Sequence, residues 1–250
     1  MREGAALARL VSMRSRLAGT LDARVDVMLS IESPVAQLVL DHSELASVFD
    51  RYRIDYCKGS RPLRIACEER GLEPARVIED CELAMRRREP TDTDPRTLST
   101  KDLITKVIAR HHQYLHRTLP FLLGLSLKVS RVHGEREPSL CEVARIVNRL
   151  VTTLLDHMDD EERELFPELI SRAPSSEHAT ALLLAMRDEH DDVGAMLSML
   201  RSAANDYVAP DWACNSYRTL LAELAHLETD TLRHLHLENH VLLPRFVVLT

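Results

Sequence analysis

The 250-residue chain has only seven glycines, too few for the frequent tight turns of a sandwich or barrel. It lacks any run approaching the roughly 20 apolar residues that span a bilayer, so no membrane segment is expected. It lacks a basic excess as well. With a net charge of -7 and an isoelectric point of about 5.9, it has no composition for a phosphate-binding duplex surface, and nucleic acid is not expected as a partner. Five cysteines, Cys57, Cys67, Cys81, Cys141 and Cys214, are odd in number, scattered, and form no CxxC pair. With no secretory signal ahead of them, they fit a reducing cytosol, and a soluble cytoplasmic protein is expected.

What is present is aliphatic and charged: 45% hydrophobic and 28% charged residues, a balance that favours helices. The length allows two modest domains, each with its own core. The expected fold is all-α, an antiparallel four-helix bundle preceded by a small helical domain. Residues 1–30 read as an extension, disordered or helical. Its first 24 residues carry Arg2, Arg9, Arg14, Arg16 and Arg24 with few acids, which leaves open a transit pattern, a basic helix, or a start at Met28. Residues 31–85 hold short helical patterns such as Val35, Leu38 and Val39, or Leu63, Ala66 and Cys67. Residues 86–100, RRREPTDTDPRTLST, have two prolines and no apolar period, and read as a linker.

Residues 101–250 hold four long segments with helical spacing, cut at Gly134 to Pro138, Ala173 to Ser176 and Ala209 to Asp211. Start signals accompany the cuts: Ser139 with Glu142 as a capping box, Thr100 with Asp102 in the first turn, and Asp211 as an N-cap. Short loops between long helices make an antiparallel bundle. Pro120 is expected to kink the first helix and Pro167 to disturb the end of the second.

Steps of three and four residues define the seam that each helix turns inward. The second seam runs Val143, Val147, Leu150, Leu154, His157, Glu161, Leu165; the fourth runs Leu220, Leu224, Leu227, Thr231, His234, Glu238, Val241. The third carries His190 between Met186 and Val193, and the first carries His112 between Ile108 and Leu115, with His111 close enough in phase to compete. A buried carboxylate without a partner costs several kcal/mol, so two in one core demand a neutralising group. Each HxxxE pair spans about one turn and points both side chains the same way. His112, His157, His190 and His234 also fall at matching heights in an antiparallel bundle. Four imidazoles and two carboxylates suit two irons, each with two histidines and both glutamates as bridges, leaving a position open.

A lone histidine on an apolar face is more often a hydrogen-bonded core residue than a ligand; it is the cluster at one level that points to metal. Outside the seams, His116, His178, His226, His236 and His240 read as surface or supporting residues, and Asp159, Asp160 and Glu162 as a solvated face. His133, about 31 Å along the helix from His112, is not a ligand. A metal-free interaction bundle would leave Glu161 and Glu238 uncompensated.

With these residues placed, the chain resembles the Repair of Iron Centres family of hemerythrin-like di-iron proteins. The resemblance covers nearly everything after Met28. It rests on RHHQYLHRTLP around His112, RVHGEREP around His133, HMDDEERELFP with His157 and Glu161, RDEHDDVG around His190, and HLHLENHVLLPR with His234 and Glu238. FDRYRIDYCKGSRPLRIAC, Phe49 to Cys67, is similar to the family's small helical domain. The resemblance implies two non-haem iron ions (Fe2+/Fe3+), carboxylate-bridged with an oxo or hydroxo bridge, on the six positions already chosen. It implies a metal-binding repair factor, rather than a conventional enzyme, acting on iron-sulfur proteins damaged by nitrosative or oxidative stress, by iron delivery or nitric oxide handling. Nitric oxide and oxygen are the small ligands implied, and a homodimer is compatible.

The family has adjacent cysteines where this chain has Cys57 followed by Lys58. That removes the vicinal pair and leaves Cys57 as the one candidate catalytic thiol of the repair function. It is expected on an exposed turn of a separate helical domain, without a disulfide; a spare turn thiol is the alternative. A hemerythrin-like carrier or sensor of oxygen or nitric oxide is the competing function.

Overall fold

The computed structural model describes residues 29–57, 61–86, 94–171 and 177–247. Contacts divide the chain into two units, residues 1–30 and 31–250. Residues 1–28 of the expected extension, Lys58 and residues 87–93 of the expected linker lie outside the described residues.

Four short helices come first: α1 (Val35–Asp41), α2 (Leu45–Tyr52), α3 (Leu63–Glu68) and α4 (Pro74–Arg86). Pro34 and Pro62 face each other in a single bridge, closed by Val35 N–H to Arg61 O and Leu63 N–H to Ser33 O, both 3.0 Å. The bridge sets the starts of α1 and α3 side by side. Proline costs nothing there, because the missing N–H falls where no helical bond is made. Phe49, Leu45, Leu63, Val77, Cys67 and Cys81 fill the core beneath, each fully buried.

Four rods follow. Rod one is α5 (Thr100–Val107), a π-helical turn (Ile108–His112) and α6 (Gln113–His133). Rod two is α7 (Ser139–Asp160), a π turn (Glu161–Leu165) and α8 (Phe166–Ser171). Rod three is α9 (Glu177–Ala203), and rod four is α10 (Asn215–Leu237) with a π turn (Glu238–Leu242) and a 3-10 turn (Leu243–Arg245). Short connections reverse the chain between consecutive rods, which gives the expected helical bundle. Gly134 closes the first connection where no side chain fits: an added Cβ would lie 2.5 Å from the Ser130 carbonyl oxygen.

The helix starts differ in detail from those expected. Rod one is capped one residue earlier, by Ser99, whose Oγ accepts from Asp102 N–H at 3.1 Å. Ser139 makes no capping box, because Glu142 is drawn to Arg145 and the Ser139 hydroxyl donates to Glu137. Rod four begins at Asn215 after Cys214, since Asp211 is still in the preceding turn. Rod one runs helically through Pro120, and rod two resumes as α8 at Phe166, with Pro167 in its first turn, after its π turn.

The seams bury as expected: Leu115, Leu119, Leu150, Leu154, Val193, Leu220 and Leu224 are fully enclosed. At one end Leu103, Val107, Phe166, Leu183, Leu242 and Leu243 form an apolar plug. The short helices pack on rods three and four through polar ties. Asp50 takes Arg233 at 2.6 Å, and Arg53, in the left-handed region at φ 58°, donates to Asp206 O at 2.8 Å and accepts from Arg201 at 3.4 Å.

Candidate metal centre

Between the apolar plug and the apolar seams lies a polar level. His112 ends the π turn of rod one; Glu161 and Glu238 begin those of rods two and four. His157 and His234 stand one turn before the two glutamates, and His190 sits in the middle of α9. A π turn inserts one residue into the helical spiral, and such turns occur mostly at functional sites. Here each of the three described π turns carries a member of the cluster.

The structure brings all six predicted residues together. His112, Glu161, His234 and Glu238 offer ligand atoms within 4.8 Å of one another, and so do His157, Glu161, His190 and Glu238. Both glutamates belong to both groups. Glu161 divides its oxygens: Oε2 lies 3.4 Å from His112 Nε2, and Oε1 lies 3.3 Å from His157 Nε2. Glu238 Oε2 lies 3.4 Å from His190 Nε2 and 3.0 Å from His234 Nε2. The imidazoles pair Nε2 to Nε2 at 3.2 Å, His112 with His234 and His157 with His190.

None of the six is more than 2% exposed, and all four carboxylate oxygens lack a hydrogen-bond donor. Buried carboxylates in that condition are costly unless a cation meets them. Burial and the neighbouring Glu161 charge push the Glu238 carboxyl far above the ordinary value. Glu161 is also driven up by burial, but the His157 and His112 imidazoles outweigh that and hold it low. Burial and the facing His157 push His190 down to about 4, and burial with the surrounding imidazoles takes His234 well down. Neutral imidazoles beside carboxylates are the donor set of a metal that accepts nitrogen and oxygen.

Outer partners orient the rings. His112 Nδ1 meets Glu162 Oε1 at 2.8 Å, His157 Nδ1 meets Glu189 Oε2 at 2.9 Å, and His190 Nδ1 meets Asn239 Oδ1 at 2.8 Å. Each bond leaves Nε2 for the cluster, the arrangement that fixes metal-binding imidazoles. Against its burial, His157 is held above its ordinary value by Glu161 and Glu189. Glu162 is thus not simply a solvated residue. Glu162, Glu189 and Asn239 each adjoin a cluster member in sequence, and that adjacency was the available signal. His111 is buried but outside both groups, bound through Nδ1 to Asp230 at 3.0 Å and stacked on His234. His133 lies at the far end of α6 against Cys214 and Trp212.

Cys57 is not on an exposed turn. It is 7% exposed, its thiol donates to the Leu232 carbonyl at 2.7 Å, and its own carbonyl accepts from His240 Nε2 at 3.1 Å. The turn after α2 is pressed onto rod four, which sequence spacing could not show. His236, expected as a surface or supporting residue, is buried in the same seam, edge-on to Tyr56. No disulfide occurs among the described residues; Cys67 and Cys81 are buried, Cys141 and Cys214 exposed.

A helical bundle with a histidine and glutamate cluster across its rods is a cation-binding bundle of the hemerythrin type, and residues 103–246 match the Hemerythrin HHE cation binding domain. Membership in that class implies non-haem iron binding. Residues 31–84 match a Domain of Unknown function (DUF542). The chain is similar to the iron-sulfur cluster repair protein ScdA of Staphylococcus haemolyticus, 28% identical over 222 residues, or 88% of this chain and 100% of the relative. It is 31% identical over 215 residues to the iron-sulfur cluster repair protein YtfE of Enterobacter sp., covering 86% of this chain and 96% of the relative. The YtfE protein of Citrobacter koseri is 30% identical over 214 residues, with the same coverage. The chain belongs to the Repair of Iron Centres family. No helix among the described residues is long and apolar enough to cross a membrane.

Proposed function

We propose that the polar level holds two irons, one between His112 and His234 and one between His157 and His190, with Glu161 and Glu238 shared by both. The observation that carries this is the double membership of the glutamates, all four of whose oxygens lie buried without a donor. Bound iron supplies positions open to small ligands and can be released. The chain's residues orient the rings through Glu162, Glu189 and Asn239 and exclude bulk water with the apolar plug.

The protein then acts in the repair of iron-sulfur clusters damaged by nitrosative or oxidative stress, by iron delivery or nitric oxide handling, in the cytoplasm and on damaged iron-sulfur proteins as partners. The names of its relatives support this role, and the buried donor set supports the metal. Cys57 is the thiol we assign to the repair function. It stands where the short helices meet rod four, and without a neighbouring cysteine it cannot cycle through a vicinal disulfide.

Anaerobic purification and metal analysis should give two irons per chain. Oxygen, nitric oxide and a damaged iron-sulfur protein are then added in parallel. Recovery of the damaged protein's cluster is the expected result. Reversible oxygen binding with no recovery would instead mark a carrier or sensor.

A further inference from the structure

Between the short helices and the bundle lies a cavity of about 380 Å³, within the size range of small-molecule sites. Three rings line it, those of Tyr56, His111 and His236, beside the apolar side chains of Val39, Leu40 and Val241. His236 is 4% exposed, and its Nδ1 lies 3.4 Å from the Tyr56 carbonyl. A carbonyl only accepts, so Nδ1 carries the proton, and a neutral ring has Nε2 as an acceptor. That Nε2 has no partner. In the same wall the Nε–H of Arg233 is buried without an acceptor, while its Nη2 is taken by Asp50. Two cations also line it, half-buried Lys106 and exposed Arg110, and neither enters an ion pair among the described residues, whereas the carboxylates in the lining already have partners, Asp94 with Arg96 and Glu44 with His42.

A buried acceptor and a buried donor left unmatched are costly, and an occupant that reaches both removes that cost. We infer that this cavity binds a small flat organic anion bearing a hydroxyl group. Its ring would lie among Tyr56, His111 and His236, its hydroxyl would donate to His236 Nε2, and its anionic group would accept from Arg233 Nε–H near Lys106 and Arg110. This goes beyond the repair reading, because nothing in the metal centre requires it. The two sites are nonetheless neighbours: His111 lines the cavity and stacks on His234 with ring centroids 5.6 Å apart and planes at 8°. An occupant sits one aromatic layer from the polar level.

The test is isothermal titration of the metal-loaded full chain with 4-hydroxybenzoate, benzoate, 4-hydroxybenzyl alcohol and inorganic phosphate. 4-Hydroxybenzoate should bind saturably. Benzoate and the alcohol should each bind about tenfold more weakly, the loss expected for one missing hydrogen bond or charge, and phosphate should not bind. His236→Phe should make benzoate and 4-hydroxybenzoate bind alike. Lys106→Gln with Arg110→Gln, which alters accessible side chains and should leave the fold intact, should weaken both acids several-fold. Absence of saturable 4-hydroxybenzoate binding below about 10 mM, equal affinity for all four probes, or binding untouched by the Lys106 and Arg110 changes overturns the inference. So does a new phenolate-to-iron absorption band during titration, which would put the probe on the metal.

Discussion

Rods two and four each carry a histidine, a glutamate four residues later and a proline six residues beyond that: His157, Glu161 and Pro167 in one, His234, Glu238 and Pro244 in the other. In both, the glutamate opens a π turn whose closing bond runs back to its own carbonyl, from Phe166 N–H or Leu243 N–H. Proline just after the turn has no N–H to offer the next carbonyl, which suits a break in the α pattern there. The two halves then diverge. His157 and His190 are both tied from behind, by Glu189 and Asn239, whereas of His112 and His234 only the first has an outer partner, Glu162. His234 Nδ1 is buried without one, and its ring rests on His111. A repeated local pattern therefore puts equivalent ligands in place, while non-equivalent neighbours decide how firmly each is held.

The largest expected effect comes from what the halves share. Removing the metal should lower the thermal midpoint, since a ligand present at a hundred times its Kd adds about 2.7 kcal/mol to the native state. The double variant Glu161→Gln, Glu238→Gln should recover part of the apo-protein's stability, because it removes a buried pair of carboxyls that the metal-free protein can hold together only by burying the Glu161 charge and keeping Glu238 protonated. Thermal unfolding of both proteins with and without chelator checks this. A wild-type midpoint indifferent to chelator would rule out a metal-neutralised pair.

Next comes the asymmetry itself. Timed chelation should remove metal in two phases, the faster from the His112 and His234 side. Glu189→Gln should speed the slower phase and weaken that position by about 10- to 100-fold, as outer-partner changes do. A single phase in the wild type would mean the halves are held alike.

His111→Phe sharpens the same contrast with a smaller effect. It keeps a ring against His234 but drops the Asp230 tie, so metal analysis should still find two ions per chain. Loss of one ion would make His111 a ligand. The smallest effect concerns the thiols. Native protein should react at Cys141 and Cys214 alone, because Cys57, Cys67 and Cys81 are enclosed and burial pushes Cys81 up to about 12. Thiol titration before and after unfolding counts them.

Helices, seams and the six clustered residues were legible because helical period is local: a polar residue in phase with Leu150 and Leu154 must face the core, whatever else the chain does. His111 against His112 was not separable in that way. They lie 100° apart on an ideal helix, and the π turn that ends at His112 changes the phase where the choice is made. Helix starts missed for a related reason, since the Ser139 hydroxyl is drawn to Glu137 and Asp211 still lies in the turn before rod four.

The sequence by itself determined a four-rod helical bundle, the polar level within it, and the residues that meet there, because each of these follows from spacing along a single helix. Only the tertiary structure decided that Cys57 is enclosed against rod four, that Glu162, Glu189 and Asn239 stand behind three of the imidazoles, and that His236 borders a cavity. Those contacts join residues as far apart in the chain as Cys57 and Leu232. No local period encodes which surfaces of separate elements are pressed together; that follows from how the whole chain buries its apolar area.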